Sequence, residues 1–153
     1  MGVRTSAGST IGITSSAPAT FNAVGYAALT FTLIGEITDL GEFGREYNLV
    51  THNPLASRST QKFKGSFNEG QQTLGLGLDD TDAGQTMAAA ATLVDAPYYF
   101  CVTLQGGAKR YFPAQVMSFK ENIGSVDNIT AGSIALEITT SPGGVGIVRV
   151  AAV

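Results

Sequence analysis

The sequence predicts a mainly β protein of the α+β class, built as an antiparallel β-sandwich or barrel with one flanking α-helix. Three observations lead to this prediction. Apolar and polar residues alternate over several short segments, which is the period of a half-buried strand. Turn signals rich in Gly and Asn separate these segments, and one stretch has the period of a helix. At 153 residues the chain is expected to form a single domain, 1–153.

The predicted strands are two hairpins flanked by single strands. Their ranges are 28–38, 61–67, 72–78, 98–104, 109–120 and 129–139. Asn68-Glu69-Gly70 predicts the turn of the first hairpin, and Gly106-Gly107 predicts the turn of the second. Pro113 cannot donate to a ladder, so the sequence predicts a sheet edge or a bulge at that position.

The helix is predicted to begin near Asp82, where a run of polar residues supplies N-cap oxygens and negative charge (Asp79, Asp80, Thr81, Asp82). Gln85, three residues later, suggests a variant capping box. The expected apolar face consists of Ala83, Met87, Ala90, Ala91 and Val94, and Pro97 is expected to end the helix. Gly75 and Gly77 leave one face of the preceding strand bare, and we expect the helix to cover it.

Both ends of the chain are predicted to depend on their surroundings. Residues 1–27 begin with Ser, Thr, Gly and Ala in no regular period, which predicts a flexible or partner-dependent N-terminal arm. Residues 140–153 form a C-terminal extension. Its last part, 145–153, is β-prone and apolar, so we expect it to pair with a sheet edge in the same or a neighbouring subunit.

The most informative stretch is the connector, residues 38–61, which joins the first predicted strand to the first hairpin. A connection this long without its own secondary structure is functional or disordered in most proteins, and disordered segments lack the large apolar side chains found here. We therefore predict an inter-subunit loop that packs on another copy of the chain. The candidate interface residues are Leu40, Glu42, Phe43, Arg45, Glu46, Tyr47, Leu49, His52, Pro54 and Leu55.

Composition favours a subunit of an assembly. Charged residues make up 14% of the chain, against about 25% in typical domains. The net charge of −3 and the scattered basic residues argue against sequence-independent binding of nucleic acid. The single cysteine excludes an internal disulfide. No apolar run approaches the roughly 20 residues of a membrane span, so no membrane partner is expected.

No constellation of residues indicates catalysis, a cofactor or a metal. A catalytic triad would have to use His52, the single histidine, yet no nucleophile motif accompanies it. Cys101 lies in a predicted strand and is expected to be a small buried apolar group. Asp80-Thr81-Asp82 is similar to the start of a calcium loop, but Gly84 stands where the third oxygen ligand is needed. The sequence therefore favours assembly over enzymatic activity.

The connector, together with YFPAQVMSFKENIGSVDNI at residues 111–129, resembles the tail tube (major tail) proteins of long-tailed, siphovirus-like bacteriophages. This resemblance implies hexameric rings whose sheets join into one ring-wide barrel and which stack into a conduit for DNA delivery. It implies a virion protein of the phage tail, made in the host bacterial cytoplasm. Its implied partners are other copies of itself, the tape measure, tail terminator and distal tail proteins, and DNA in transient, non-specific passage.

Two other functions remain open from the sequence. One is a β-sandwich carbohydrate-binding module, for which Tyr98, Tyr99, Tyr111 and Phe112 are the available aromatics. The other is the tube protein of a contractile tail or secretion system, which shares the ring architecture. Glycan binding by a monomer would favour the first, and a sheath protein encoded nearby would favour the second.

Overall fold

The computed structural model describes residues 2–152. Within this range the chain is mainly β, as predicted. The strands are β1 (Thr10–Thr14), β2 (Thr32–Leu33), β3 (Ile37–Asp39), β4 (Glu46–His52), β5 (Gln61–Asn68), β6 (Gln71–Gly77), β7 (Tyr98–Thr103), β8 (Lys109–Asn122), β9 (Ala131–Ile138) and β10 (Val148–Val150). The helices are α1 (Ala23–Ala27) and α2 (Ala83–Ala91).

Eight of the strands form one antiparallel sheet in the order β2-β1-β7-β8-β9-β6-β3, with β10 also paired to β8. Its two edge strands are neighbours in sequence, because β2 ends at Leu33 and β3 begins at Ile37 on the opposite edge. A link of this length spans at most about 14 Å. The sheet is therefore curled into a half-barrel around one core, with its edges close together at this link, instead of forming two stacked layers.

Helix α2 packs across the gap between the two edges. The Asp82 side chain caps the helix, accepting from Gln85 N at 2.9 Å, and also accepts from Gly35 N in the link at 3.0 Å. Gln85 Nε2 donates to the carbonyl oxygens of Gly35 (3.0 Å) and Gly77 (2.9 Å). A Cβ atom on Gly84 would lie 2.2 Å from a backbone oxygen in β2. A glycine at this position therefore allows the helix to approach the sheet closely.

The core lies inside the half-barrel, and a smaller cluster covers its outer surface. The inner core includes Ile11, Ile13, Leu74, Leu76, Phe100, Phe112, Ile134 and Leu136. On the outer face, Tyr26 stacks on Tyr111 with ring centroids 5.2 Å apart, beside Tyr99 and Cys101. Because β7 contributes to both clusters, it is buried on both faces. Cys101 is a buried small side chain, as predicted, and burial raises the pKa of its thiol.

The N-terminal prediction is wrong in part. Residues 10–14 form β1, which pairs with β2 and β7, and Ile11 and Ile13 are fully buried. Their alternation is too short to stand out in a Ser- and Thr-rich segment. The strand predicted at 28–38 is also wrong, because the chain forms only β2 and β3 there and crosses between sheet edges. At the other end, β10 pairs with β8, so part of the C-terminal extension joins its own sheet.

The two predicted hairpins have different outcomes. The second is confirmed, with β7 and β8 paired through the turn at Gly106-Gly107. Pro113 lies where the partner of β8 changes from β10 to β9, at a break in the ladder. The first predicted hairpin is wrong. Strand β5 pairs with β4, and β6 pairs with β3 and β9.

The predicted start of α2 is confirmed, but its predicted apolar face is partly wrong. Asp82 is the N-cap, whereas the buried helix residues are Gly84, Gln85, Ala88 and Ala91. Ala83 and Ala90 are exposed. Small side chains give little periodic contrast, which explains the error. The helix also ends at Ala91, before Pro97, and it does not cover Gly75 and Gly77, whose nearest neighbours include Thr38 and Glu36. No helix among residues 2–152 is long and apolar enough to cross a membrane.

Candidate assembly surfaces

Most of the connector belongs to a two-stranded hairpin that is separate from the sheet. Strands β4 and β5 pair with each other and with no other strand in the described range. We call residues 46–68 the hairpin arm. Each residue of β4 is exposed, and in β5 a single residue, Gly65, is half-buried. This exposure shows that the arm lacks, within its own chain, the packing partner that stabilises most β-structure. A lone two-stranded hairpin of this kind is marginally stable in water.

The exposed side chains of the hairpin arm include large apolar groups. Leu49 is 66% exposed, Phe63 is 55% exposed, and Leu55 in the connecting loop is fully exposed. Val50 lies opposite Phe63 in the register of the two strands. Exposed apolar groups concentrated on one element mark interaction surfaces more often than scattered ones. The tip of the arm is therefore the strongest candidate for a contact with another molecule.

The root of the hairpin arm is held more firmly than its tip. Arg45 Nε donates to Glu69 Oε1 at 2.6 Å, and the Glu69 side chain is almost fully buried. Glu69 Oε2 also accepts from the backbone N–H of Ile147 at 3.0 Å, which ties the root to the C-terminal extension. The Arg45 guanidinium lies 4.0 Å from the centre of the Phe67 ring, and that ring contacts Tyr47 at 5.5 Å between centroids.

The structure divides the ten predicted interface residues into two groups. Leu40 and Phe43 pack against their own core, with Phe43 5.4 Å from Phe112 between ring centroids. The start of the connector therefore folds onto the body of its own chain, by which we mean the eight-stranded sheet and its helices. Both side chains are half-buried, and their role between subunits stays a prediction. The other eight are Glu42, Arg45, Glu46, Tyr47, Leu49, His52, Pro54 and Leu55, which lie at the root of the arm, along β4 or in its loop. Their role between subunits stays a prediction.

The sequence-based candidates omit several exposed apolar residues. Val50 and Phe63 belong to the hairpin arm. The alternation of Phe63 and Phe67 with polar residues predicts a strand of the main sheet, whereas this strand, β5, lies in the arm. A second apolar patch lies in the loop after β8, where Ile123, Val126 and Ile129 are exposed. Apolar residues in a loop with Gly and Asn were the available signal for that patch.

Charged side chains collect at the two ends of the half-barrel. At one end a cleft of about 530 Å³ is lined by Arg45, Arg110 and Arg149, together with Glu69. A neighbouring cleft shares Arg110 and adds Arg4. At the other end a smaller cleft of about 160 Å³ is lined by Asp79, Asp80 and Glu121 around Gln85. Among residues 2–152 no three His, Cys, Asp or Glu side chains are grouped as a metal site would require.

Comparison with known proteins identifies the fold. No protein-family model and no curated relative matches the sequence. A chain from the virion of a native gene transfer agent particle superimposes with a TM-score of 0.68 at 13% identity, covering 97% of this chain and 100% of that one. A chain in the structure of the SPP1 tail tube gives a TM-score of 0.60 at 12% identity, covering 95% and 77%. The chain has the tail-tube fold.

The tail-tube fold also occurs in other assembled particles. A chain in the structure of the sheath/tube terminator of the PVC extracellular contractile injection system gives a TM-score of 0.65 at 9% identity, covering 94% of this chain and 93% of that one. The tail of an empty gene transfer agent particle, solved with sixfold symmetry, also contains a matching chain. The superpositions establish the fold, and at such low sequence identities the function has to be argued from the surfaces.

Proposed function

We propose that this chain is a structural tail tube subunit that assembles into hexameric rings, which stack into a tube for DNA delivery. The observation that carries the proposal is the hairpin arm: an exposed, apolar two-stranded element projects from a half-barrel of the tail-tube fold. The sixfold symmetry of one matching tail supports hexameric rings. On this proposal the chain acts by self-association in the virion tail and is not an enzyme.

The charge balance suits a conduit. A ring of six copies carries 6 × −3 = −18 formal charges, and a wall with the same sign as DNA does not retain it through counterion release. If each subunit contributes four strands to a common barrel, the ring has 6 × 4 = 24 strands. With strand spacing of about 4.8 Å and tilt of about 40°, its diameter is roughly 45–50 Å, wide enough for a duplex.

The partners of such a tube follow from its two ends and its lumen. We propose that rings of this chain contact one another along the tube, that tail terminator and distal tail proteins close its ends, and that a tape measure protein occupies it before DNA does. Matching chains in assembled tails and baseplates support a role with other tail components. No cofactor, metal or membrane enters this function.

The test is removal of the hairpin arm without disturbing the body. Glu46 and Asn68 are directly paired at the root, so a Gly-Asn-Gly turn replacing residues 46–68 rejoins the chain with little displacement. Leu40 and Phe43 stay in place because they pack on the core. The full-length chain is expected to form rings or tubes in size-exclusion chromatography and negative-stain images, and the armless variant is expected to stay a folded monomer.

A matched variant separates the reach of the arm from its apolar contacts. Leu49→Ser with Phe63→Ser keeps the backbone of the hairpin and removes two exposed apolar groups. We expect circular dichroism close to that of the full-length chain and loss of tubes. Tubes formed by the armless variant would refute the proposal.

The second candidate, a tube protein of a contractile system, is favoured by the match to the PVC sheath/tube terminator structure. It predicts the same rings, so a sheath protein encoded beside this gene would distinguish it. The carbohydrate-binding alternative is not supported by the structure. Tyr99, Tyr111 and Phe112 are buried, which leaves only Tyr98 half-exposed among its proposed platform residues.

A further inference from the structure

Two arginines face each other at one end of the half-barrel. Arg110 of β8 and Arg149 of β10 are directly opposite in the antiparallel register. Like charges in this arrangement destabilise a sheet. Burial, followed by the proximity of Arg149, lowers the pKa of Arg110. The pair therefore carries an unfavourable interaction that a negatively charged group between them would relieve.

The described part of the chain does not supply that group. The ion pair found among residues 2–152 joins Arg45 to Glu69, and both oxygens of Glu69 are occupied, one by Arg45 and one by Ile147 N. The other acidic groups near this end are Asp39, which accepts from Gly41 N, and Glu42 and Glu46, which line adjoining clefts beside Arg45. Within residues 2–152 the guanidinium of Arg110 donates to one group, the backbone carbonyl of Lys109.

The opposite end of the same strand has the complementary charge. Glu121 lies eleven positions after Arg110 on β8, a distance of roughly 35 Å along a strand. The bulge between Val116 and Ser118 puts Phe119 and Glu121 opposite Ile134 and Gly132, on the inner face with Arg110. Asp79 and Asp80 line the same cleft as Glu121. Hydrogen bonds from Thr81 lower the pKa of Asp79, which keeps it charged. Lys120 precedes Glu121 on the strand and therefore lies on the opposite face of the sheet.

We propose that the Arg110–Arg149 pair is a carboxylate-binding site filled by Asp80 and Glu121 of a second copy of this chain. The contact is head-to-tail, since the two surfaces lie at opposite ends of β8, and a head-to-tail contact repeats to give rings or filaments. Arginine is suited to this role because its planar guanidinium binds carboxylates bidentately. The inference rests on the proposed function and assigns the residues of one of its interfaces.

The test uses two variants with reversed charges. The first carries Arg110→Glu and Arg149→Glu, which replaces one like-charge pair by another and so keeps the repulsion within the fold comparable. The second carries Asp80→Lys and Glu121→Lys. Each alone is expected to raise the critical concentration for assembly at least tenfold. An equimolar mixture is expected to assemble at the wild-type concentration, because each reversed surface then meets its complement.

The outcomes are distinguishable. Either variant assembling alone as the wild type does, or a mixture of folded variants that fails to associate, would overturn the inference. Analytical ultracentrifugation of the mixture scores the association independently of tubes, so pairing without tubes would support this contact while contradicting the proposed function. A DNA duplex of about 20 base pairs bound by the wild type and released by the Arg110→Glu/Arg149→Glu variant, with assembly unchanged, would instead assign the site to phosphate.

Discussion

Replacement of Leu55 by Ser should weaken assembly without weakening the fold. Leu55 is at the tip of the hairpin arm, and its side chain is fully exposed in the single chain. It therefore contributes no burial to the fold, and a surface change of this kind alters the free energy of unfolding by less than about 0.5 kcal/mol. All of its transfer free energy is available to a partner subunit.

The size of the effect follows from that exposure. Full burial of a Leu side chain is worth about 1.5–3 kcal/mol, and about 1.4 kcal/mol corresponds to a tenfold change in an equilibrium constant. Loss of this contact should raise the critical concentration for assembly roughly ten- to a hundredfold. Pelleting of polymer across a dilution series measures that concentration, and urea unfolding by circular dichroism measures the fold.

The matched control is Ser57→Ala, which alters the same loop but removes no apolar group. It loses two local hydrogen bonds of the Ser57 hydroxyl, one accepted from Ser59 N and one shared with the Ser59 hydroxyl, and should assemble within about twofold of the wild type. The reasoning is refuted if Leu55→Ser assembles like this control. A Leu55→Ser chain that unfolds at much lower urea would also contradict it, because the side chain would then be packed within its own subunit.

Three further predictions concern the body and the root of the arm. Gly84→Ala should destabilise the fold by about 1–3 kcal/mol in urea unfolding, because the new Cβ would meet the Leu33 carbonyl oxygen. This effect outweighs the gain of about 1 kcal/mol from alanine as the better helix former. A stabilised variant would show that the helix is free to move away. Tyr26→Phe should change stability at pH 7 by less than about 1 kcal/mol, because the buried hydroxyl finds no hydrogen-bond partner among residues 2–152. Burial, followed by the proximity of Tyr99, raises the pKa of Tyr26 above the usual tyrosine value of about 10. Above that value the unfolded chain loses this proton while the folded chain keeps it, so the stability of the fold decreases as the pH rises. Between about pH 7 and pH 11 the urea midpoint should therefore fall less in the variant. Glu69→Gln should cost about 1–3 kcal/mol, because the buried amide offers one acceptor oxygen to two donors, Arg45 Nε and Ile147 N. It should also speed proteolysis of the hairpin arm before the body unfolds. An unchanged cleavage rate would mean that the ion pair does not hold the root.

A strand was predicted accurately from the sequence where one of its faces is more buried than the other. Strand β9 was predicted well because its buried residues alternate with half-buried ones. The N-cap of α2 was predicted because capping depends on neighbours three residues apart. Strand β4 was missed because it is exposed on both faces, so nothing requires its apolar residues to alternate. Because β4 was not predicted, the pairing of β5 with β4 could not be predicted either.

The same contrast explains the candidate site. The sequence identified the connector through its apolar content, but it could not show that Phe43 packs on Phe112 while Leu55 faces solvent. Composition records which side chains need burial, whereas tertiary structure decides which of them obtain it within the chain. The arginine pair was equally hidden, because Arg110 and Arg149 are far apart in sequence and meet only through the β8–β10 ladder.

The body and the hairpin arm have different requirements for stability, and this difference sets an order of events. The sheet is closed at its edges by β2 and β3, which are short, and by α2 across the gap, so the body can fold as a single chain. The arm has two strands and exposed apolar groups, and a hairpin of that kind gains most of its stability from a partner. Its root is nevertheless fixed by the buried Glu69 carboxylate. Fixing the root lowers the conformational-entropy cost of binding a neighbour. The tip has no packing partner until a second copy binds. Folding of the body should therefore precede, and orient, the association of subunits.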